Sequence, residues 1–511
     1  MPIDEKSTPE SAARIHAREL STAAVMGVSW TAVSVGVAKS SSFIAQLILG
    51  WLLSADDFGL YALAISSAAM VQGWTDGGAA KILVQRGSEY HKVFPPVLRI
   101  MLIFNFLATS VLLAGAPFAA QWFSAPELPL LIVIVAISIP LSIPVVLLRA
   151  KITSDLQFKT ISKVDSVAAV LRQLLTVMFA LLGFGPLSFV LPIPLVQVYE
   201  GVAFSRHTKL WPQWKMSARS PRMRDIWKDA RWIMIASFAA ALAYRGGPYF
   251  VIGLMEQHSI LGVYFFASHL SGSFYQLLLP SMSAVMLGTF AKLSGQPQLQ
   301  ARGYLKAVRV LSLIVVAASG AMIVMAHTLI SLMWSGKWNA AIPVVQILLL
   351  NLPARLLTLL SMPLIEARGQ WRLRAMLLYE RVITVMLCAG IGAWMGGLVS
   401  IALWVSGCQI VFSLVQCVVT GRLVGLAPRE IITAAGAPVA VGLASALVSY
   451  CAVELLLPTA TSLFQSIVCL FVFLFSYWVL TWGILGSRYS ETLSTLKLML
   501  KTRRPQGAKT F

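Results

Sequence analysis

Charge is scarce in this chain, and negative charge is the scarcest. Of 511 residues only 12% are Asp, Glu, Lys or Arg, with 20 acids against 40 bases. Soluble domains carry about a quarter charged residues, so a soluble globular protein is excluded. Cysteine is sparse as well: Cys388, Cys408, Cys417, Cys451 and Cys469 all lie in apolar segments, without CxxC or Cys/His spacing. That pattern indicates neither a metal site nor a disulfide framework, only small apolar core residues. No phosphate-cradling glycine loop, metal-ligand cluster or carboxylate pair in an aqueous loop occurs. No catalytic residue, metal or cofactor is therefore expected, and an ATP-driven engine would have to come from another subunit. Nor is there the basic, aromatic-interleaved repetition of a polynucleotide surface, despite a net charge of +20.

What the chain has is apolar length. It is 58% hydrophobic, with a mean hydropathy of +0.79. Windows of about 20 residues give fourteen spanning segments: 24–52, 58–82, 96–122, 128–150, 161–182, 186–206, 231–254, 260–288, 304–333, 341–364, 375–394, 397–420, 431–454 and 463–486. With the N-terminus inside, 34 of the 40 Lys and Arg fall in inner loops, tails or the adjoining segment ends. Lys337 alone falls in an outer loop, while Asp56, Asp57, Glu127, Glu256 and Glu454 mark outer turns. So steep an asymmetry fixes orientation, and an even count puts both termini in the cytoplasm. The first segment, preceded by a polar stretch of mixed charge, reads as its own uncleaved insertion signal.

This gives an all-α integral membrane protein with a cytoplasmic tail at 1–23 and a first six-helix lobe at 24–206. A basic cytoplasmic loop at 207–230 follows, then a second six-helix lobe at 231–420. Two accessory helices at 431–486 and a basic tail at 487–511 complete it. The loop, with Trp211, Trp214 and Trp227 among its bases, has the composition of a segment resting on an anionic leaflet. In the tail Leu493, Leu496 and Leu500 are at helical spacing, which predicts a short surface helix. The halves echo one another: Gly59, Tyr61 and Ala64 align with Gly262, Tyr264 and Ala267 at an offset of 203, and Arg99 with Arg302. Six segments per half keep the same orientation, so the repeat is parallel, with a cavity expected between the lobes.

Four cations lie deep in apolar segments: Lys39, Arg172, Arg245 and Arg355. Each costs about 2.5–3.5 kcal/mol at a helix centre if it faces lipid. A wet, positively charged cavity for an anionic cargo removes that cost, and these four are the candidate substrate-binding residues. Arg245 is followed by Gly246-Gly247-Pro248, a helix break that frees carbonyls beside a guanidinium suited to phosphate. Lys39 leads a polar patch with Ser40, Ser41, Ser42 and Gln46. Arg355 follows Asn351 and Pro353 in a weakened helix. Arg172 could instead pair with Asp165, seven residues back on the same face. Asp76, in GWTDGG, is either the partner of Lys39 or a proton or sodium site for ion coupling. Glu200, Glu380 and Arg381 sit nearer the inner interface, where pairing or snorkelling suffices.

The run Leu52-Leu-Ser-Ala-Asp-Asp-Phe-Gly-Leu-Tyr-Ala-Leu-Ala64, with Gly77, Ala80 and Val84-Gln-Arg86, resembles the polysaccharide-transporter branch of the multidrug/oligosaccharidyl-lipid/polysaccharide exporter superfamily, the Wzx-type flippases. That resemblance implies a V-shaped bundle of two six-helix lobes plus two accessory helices in the bacterial cytoplasmic membrane. It implies movement of a polyprenyl-pyrophosphate-linked oligosaccharide to the outer leaflet, beside a polysaccharide polymerase and export machinery. Cationic residues on the first and seventh helices are typical of such cavities, and Lys39 and Arg245 occupy those helices. Alternatives are a multidrug exporter, whose cavity would favour excess carboxylate, and a peptidoglycan-precursor flippase, close in chemistry. From other classes come a membrane polymerase or glycosyltransferase, disfavoured by tiny outer loops, and a scaffold of a synthesis complex.

Overall fold

The computed structural model describes residues 9–75, 83–84, 90–208, 238–242, 246–278, 286–287, 289–290, 293, 295–456 and 462–501. Among them every regular element is helical. Apolar runs of this length leave the backbone no partner in lipid but itself, and the helix satisfies each amide and carbonyl internally. The helices are α1 (Pro9–Leu52), α2 (Ala55–Thr75), α3 (Tyr90–Trp122), α4 (Leu128–Ser154), α5 (Phe158–Leu181), the single turn α6 (Leu187–Val190) and α7 (Pro192–His207). They continue with α8 (Gly247–Met255), α9 (His258–Leu278), α10 (Pro297–Met333), α11 (Ile342–Leu350) and α12 (Leu352–Ala367). The last four are α13 (Trp371–Trp394), α14 (Leu398–Leu423), α15 (Pro428–Leu456) and α16 (Ser462–Lys501).

Among the described residues ten helices are long and apolar enough to cross a membrane. An eleventh span is the pair around α11 and α12, bent by 43°. The other three expected segments, 58–82, 231–254 and 260–288, run partly into residues outside that description, as do the basic loop and the end of the tail. One expectation changes. The surface helix predicted after 486 is a continuation of α16, which runs unbroken to Lys501. The polar N-terminal stretch is helical from Pro9 onward.

The chain forms two compact units, Met1–Gly262 and Val263–Phe511. In the first, α1 lies along α5, and α4 packs on α2, α3 and α7. Val145 and Ile152 of α4 bury against Val164 and Phe204. In the second, α10 is the spine. Its Leu313 and Val316 form a small core with Val441 of α15 and Tyr477 of α16, and the Tyr477 hydroxyl donates to the Leu313 carbonyl at 3.0 Å. Gly320 and Gly442 leave no room for a β-carbon against Phe473 and Val316, which lets the two accessory helices seat closely on α10.

Matching turns reveal the internal repeat. Where α1 ends, Leu53 N–H donates to Leu49 and Phe58 N–H to Ser54; Glu256 to Ile252 and Leu261 to Gln257 repeat this 203 residues later. Ser124 (φ 50°), after α3, matches Ser335 (φ 51°), after α10. Leu156 and Gly369 (φ 56° and 66°) precede α5 and α13, and Gly183 and Gly396 (φ 80° and 82°) follow them. Each of these helix pairs ends in the same hydrogen-bonded turn, so the duplication is structural. Arg99 and Arg302, however, are not equivalent. Counted back from the shared turn at Ser124 and Ser335, they sit 25 and 33 residues along continuous helices, a difference of about 12 Å.

The LSADDFGLYALA run now has a physical account. Ser54 N–H and Oγ donate to the Asp57 carboxylate at 2.8 and 2.7 Å, and Asp57 N–H donates back to Ser54 Oγ at 3.2 Å. This is a capping box that satisfies the first amides of α2. Tyr61 stacks on Phe189 with ring centroids 4.4 Å apart. Gly59 and its repeat mate Gly262 face each other. A β-carbon at Gly59 would strike the His258 carbonyl, and one at Gly262 would strike the Ala55 carbonyl and lie 2.8 Å from Gly59 N. Because His258 is the mate of Ala55, the contact is reciprocal about a local two-fold. Gly59→Ala and Gly262→Ala each cost at least about 1–3 kcal/mol by overpacking backbone against backbone. Thermal unfolding in detergent checks this, with Gly115→Ala, where a methyl meets nothing within 4 Å, unchanged or slightly stabilised.

Candidate functional site

The first unit brings deep charges together. Lys39 is half-buried on α1, and among the described residues no carboxylate closes on it. On the expected fourteen-span topology α1 and α5 run the same way, and Lys159 Nζ, 5.5 Å from the Trp30 ring centroid, relates their register. From that contact Lys39 is nine residues further along α1 and Arg172 thirteen along α5. The two cations therefore differ in depth by about 6 Å, roughly one turn. Arg172 is exposed and lies within electrostatic range of Tyr61 on α2 and of Glu200 on α7.

Arg172 does not pair with Asp165, as its spacing had allowed. The Asp165 carboxylate closes on Arg149, from the neighbouring helix α4. The α4–α5 hairpin, turning through Leu156, sets those two side chains opposite one another; a same-helix partner two turns away is the poorer geometry. The Arg149 guanidinium also lies 5.9 Å from the Phe204 ring centroid. Half-buried Glu200 is within range of Arg149, Arg172 and Asp165, yet makes no hydrogen bond or ion pair among the described residues. Asp165 Oδ1 and Gln197 Oε1 are buried without a donor. Sequence reasoning had placed Glu200 nearer the inner interface and had not singled out Arg149 as its neighbour. The missing signal is tertiary: only the α4–α5–α7 packing makes them neighbours.

At the predicted helix break, Leu242 and Gly246 adopt π-helical hydrogen bonding and α8 then starts at Gly247, with Pro248 in its first turn. Such bulges break the ladder locally. Gly246 and Gly247 are buried, and a β-carbon at Gly246 would come within 2.8 Å of Ala69 Cβ and 2.9 Å of Ser66 Cα. Gly253, two turns on, abuts Leu63 in the same way. These glycines thus seat α8 on α2. Arg245 and Asp76 fall outside the described residues.

In the second unit Arg355 is half-buried one turn beyond the 43° bend. The bend is at Asn351, whose Nδ2 donates to Gln409 Oε1 of α14 at 2.6 Å while its Oδ1 is buried without a donor. Pro353 denies the following turn its amide, as the sequence had indicated. Arg381 is buried over the Phe412 ring at 5.9 Å. Neighbouring Glu380 opens instead into a groove of about 500 Å³ between α13 and α14, beside Cys388 and Cys408.

Helical spans carrying deep, incompletely paired charge define a membrane transporter class. The fold is similar to the lipid II flippase MurJ in an inward closed conformation, with a TM-score of 0.68 at 11% identity over 89% of this chain and 99% of that one. It is also similar to an inward-facing multidrug resistance MATE family transporter of the MOP superfamily, at a TM-score of 0.52 and 15% identity over 77% and 94%. At these identities the likeness is one of fold. Residues 48–343, more than half of the chain, match the family described as polysaccharide biosynthesis protein, and the chain belongs to that family. A curated relative is the succinoglycan biosynthesis transport protein ExoT of Rhizobium meliloti (strain 1021), 23% identical over 388 residues, 74% of this chain and 76% of that protein.

Removing one partner of a partly buried ion pair leaves the other uncompensated. Arg149→Gln is therefore expected to lower stability by about 1–3 kcal/mol, below the 3–5 kcal/mol of a fully buried pair because Arg149 is 40% exposed. The double change Arg149→Met with Asp165→Leu recovers most of that loss. Detergent melting curves of the single and double variants check it.

Proposed function

We infer that this protein is a flippase for an anionic, polyprenyl-pyrophosphate-linked oligosaccharide. The observation that carries the inference is a pair of deep cations, Lys39 and Arg172, about one turn apart in depth on adjacent helices of a polysaccharide biosynthesis protein. Neither has a closed carboxylate contact among the described residues. Cations left this way in a low-dielectric span need water and an anion. Esterified pyrophosphate supplies two negative charges and the acceptor geometry that guanidinium and ammonium groups bind well.

In this reading Lys39, Arg172, Arg245 and Arg355 line a cavity between two six-helix lobes, which rock to expose it to either side. The sugars travel with the phosphates through the cavity while the prenyl tail stays in lipid. Arg245, beside the break at Gly246, Gly247 and Pro248, supplies a further phosphate ligand in this reading, and Asp76 is a site for proton or sodium counterflow. The membrane is the bacterial cytoplasmic one, with both termini inside, and the product is handed to a polymerase and export machinery. ExoT, a succinoglycan transport protein by name, supports an exopolysaccharide substrate.

A peptidoglycan precursor is the nearest rival, because the MurJ-like fold is that of a lipid II flippase and the phosphate chemistry is shared. A multidrug role is less consistent with a positive site, since cationic drugs call for carboxylates. Replacing Lys39, Arg172 or Arg245 with Gln is expected to cut surface polysaccharide at least about tenfold with unchanged protein abundance, one decade being about 1.4 kcal/mol of lost binding. Immunoblots and polysaccharide assays in a complemented deletion strain check this. Normal export in all three variants would sink the site assignment.

A further inference from the structure

The four-charge node of the first unit holds one feature that the cation reading leaves unused: Glu200. Its carboxylate stands in range of two arginines and closes on neither. The elements packed on α7 are α4, α5 and α6, and their charges can be taken in turn. From α4, Arg149 is held by Asp165, and Lys151 by Asp155 at 2.7 Å. From α5, Lys159 lies over Trp30, Lys163 is exposed, and Asp165 and Arg172 face the node. The α6 turn carries no charge. Within α7, Tyr199 adjoins Glu200, and Gln197 lies one turn before it on the same face.

The balance of this node is close. Arg149 and Asp165 cancel, which leaves Glu200 as the acid answering Arg172. Anything negative that arrives at Arg172 removes that support and repels the carboxylate. The direct remedy in a low-dielectric site is a proton on Glu200. Two further observations agree. Asp165 Oδ1 and Gln197 Oε1 are buried acceptors without donors, so the node is short of hydrogen and favours taking up a proton. Arg172 is exposed, so an anion can reach it without dismantling the Arg149–Asp165 pair.

We propose that Glu200 is a proton-uptake site linked to phosphate binding: when an esterified phosphate engages Arg172, Glu200 takes up a proton, and when the phosphate leaves, the proton is released. The step is an acid–base equilibrium. The proton comes from water on the side where the cargo loads, and no bond other than O–H forms. This rests on the proposed anionic cargo and adds a coupling site to it, on a different helix from Asp76. By linkage, one proton per phosphate makes affinity rise as pH falls, by up to about 10-fold per pH unit.

The test uses the full chain in lipid nanodiscs with a fluorescent polyprenyl-pyrophosphate-linked sugar. Both phosphates of this probe are esterified, so its charge is constant between pH 5.5 and 8. Wild type is expected to bind at least about 5-fold tighter at pH 6 than at pH 7.5, and Glu200→Gln to bind with equal strength at both. Glu200→Asp keeps the slope. If the slope survives in Glu200→Gln, or wild type shows none, the linkage is overturned while the flippase reading stands. If wild type fails to bind the probe at any pH, the flippase reading fails and takes the linkage with it. Should Glu200→Gln not be recovered from membranes, proton uptake by wild type in weakly buffered solution decides the matter. Uptake approaching one proton per probe bound supports the linkage, and none overturns it.

Discussion

A charged side chain in hydrocarbon must find either a counter-charge or water, and everything distinctive about this protein follows from how it meets that demand. The Arg149–Asp165 pair meets it internally, across a hairpin. Arg381 meets it in part with the face of Phe412. Lys39 and Arg172 are not met by a closed pair in the described structure, and they lie at nearly one depth on helices that run side by side. A bilayer span cannot keep such residues facing lipid without a cost of several kcal/mol. Their persistence is what turns a helical bundle into a candidate conduit for anions.

Backbone packing prepares the ground for those charges. Glycines at positions 59, 246, 253 and 262 bring helix backbones together where side chains would hold them apart. The capping box at Ser54 and Asp57 and the Tyr61–Phe189 stack fix the start of α2, and Tyr61 in turn lies within range of Arg172. The segment that carries the family likeness is thus an architectural device more than a binding motif. In the second unit the break at Asn351 and Pro353 does comparable work, redirecting the span just before Arg355.

Much of the architecture was legible in the sequence, because hydropathy length, loop charge and glycine placement act locally. The helical class, the bend before Arg355 and the repeat at Gly59 and Gly262 could all be read that way. Pairing across helices could not. Asp165 looked like a partner for Arg172 by same-face spacing, yet the α4–α5 turn delivers Arg149 to it instead. Nor could spacing show that Glu200 of α7 comes within range of Arg149, Arg172 and Asp165, because that follows from how α7 packs on α4 and α5. The Arg99–Arg302 alignment failed for a related reason: identical residues at a fixed interval say nothing about helix length between them and the next turn.

The same turns that expose this failure also record the chain's history. Corresponding residues are 203 positions apart near Ala55 and His258, 211 apart at Ser124 and Ser335, and 213 apart at Gly183 and Gly396. The length difference between the halves is therefore uneven: the second is longer by eight residues up to the end of its third helix, by two more before its fifth, and by none across the fifth helix itself. The two halves thus share the geometry of their bends more closely than the distance between them.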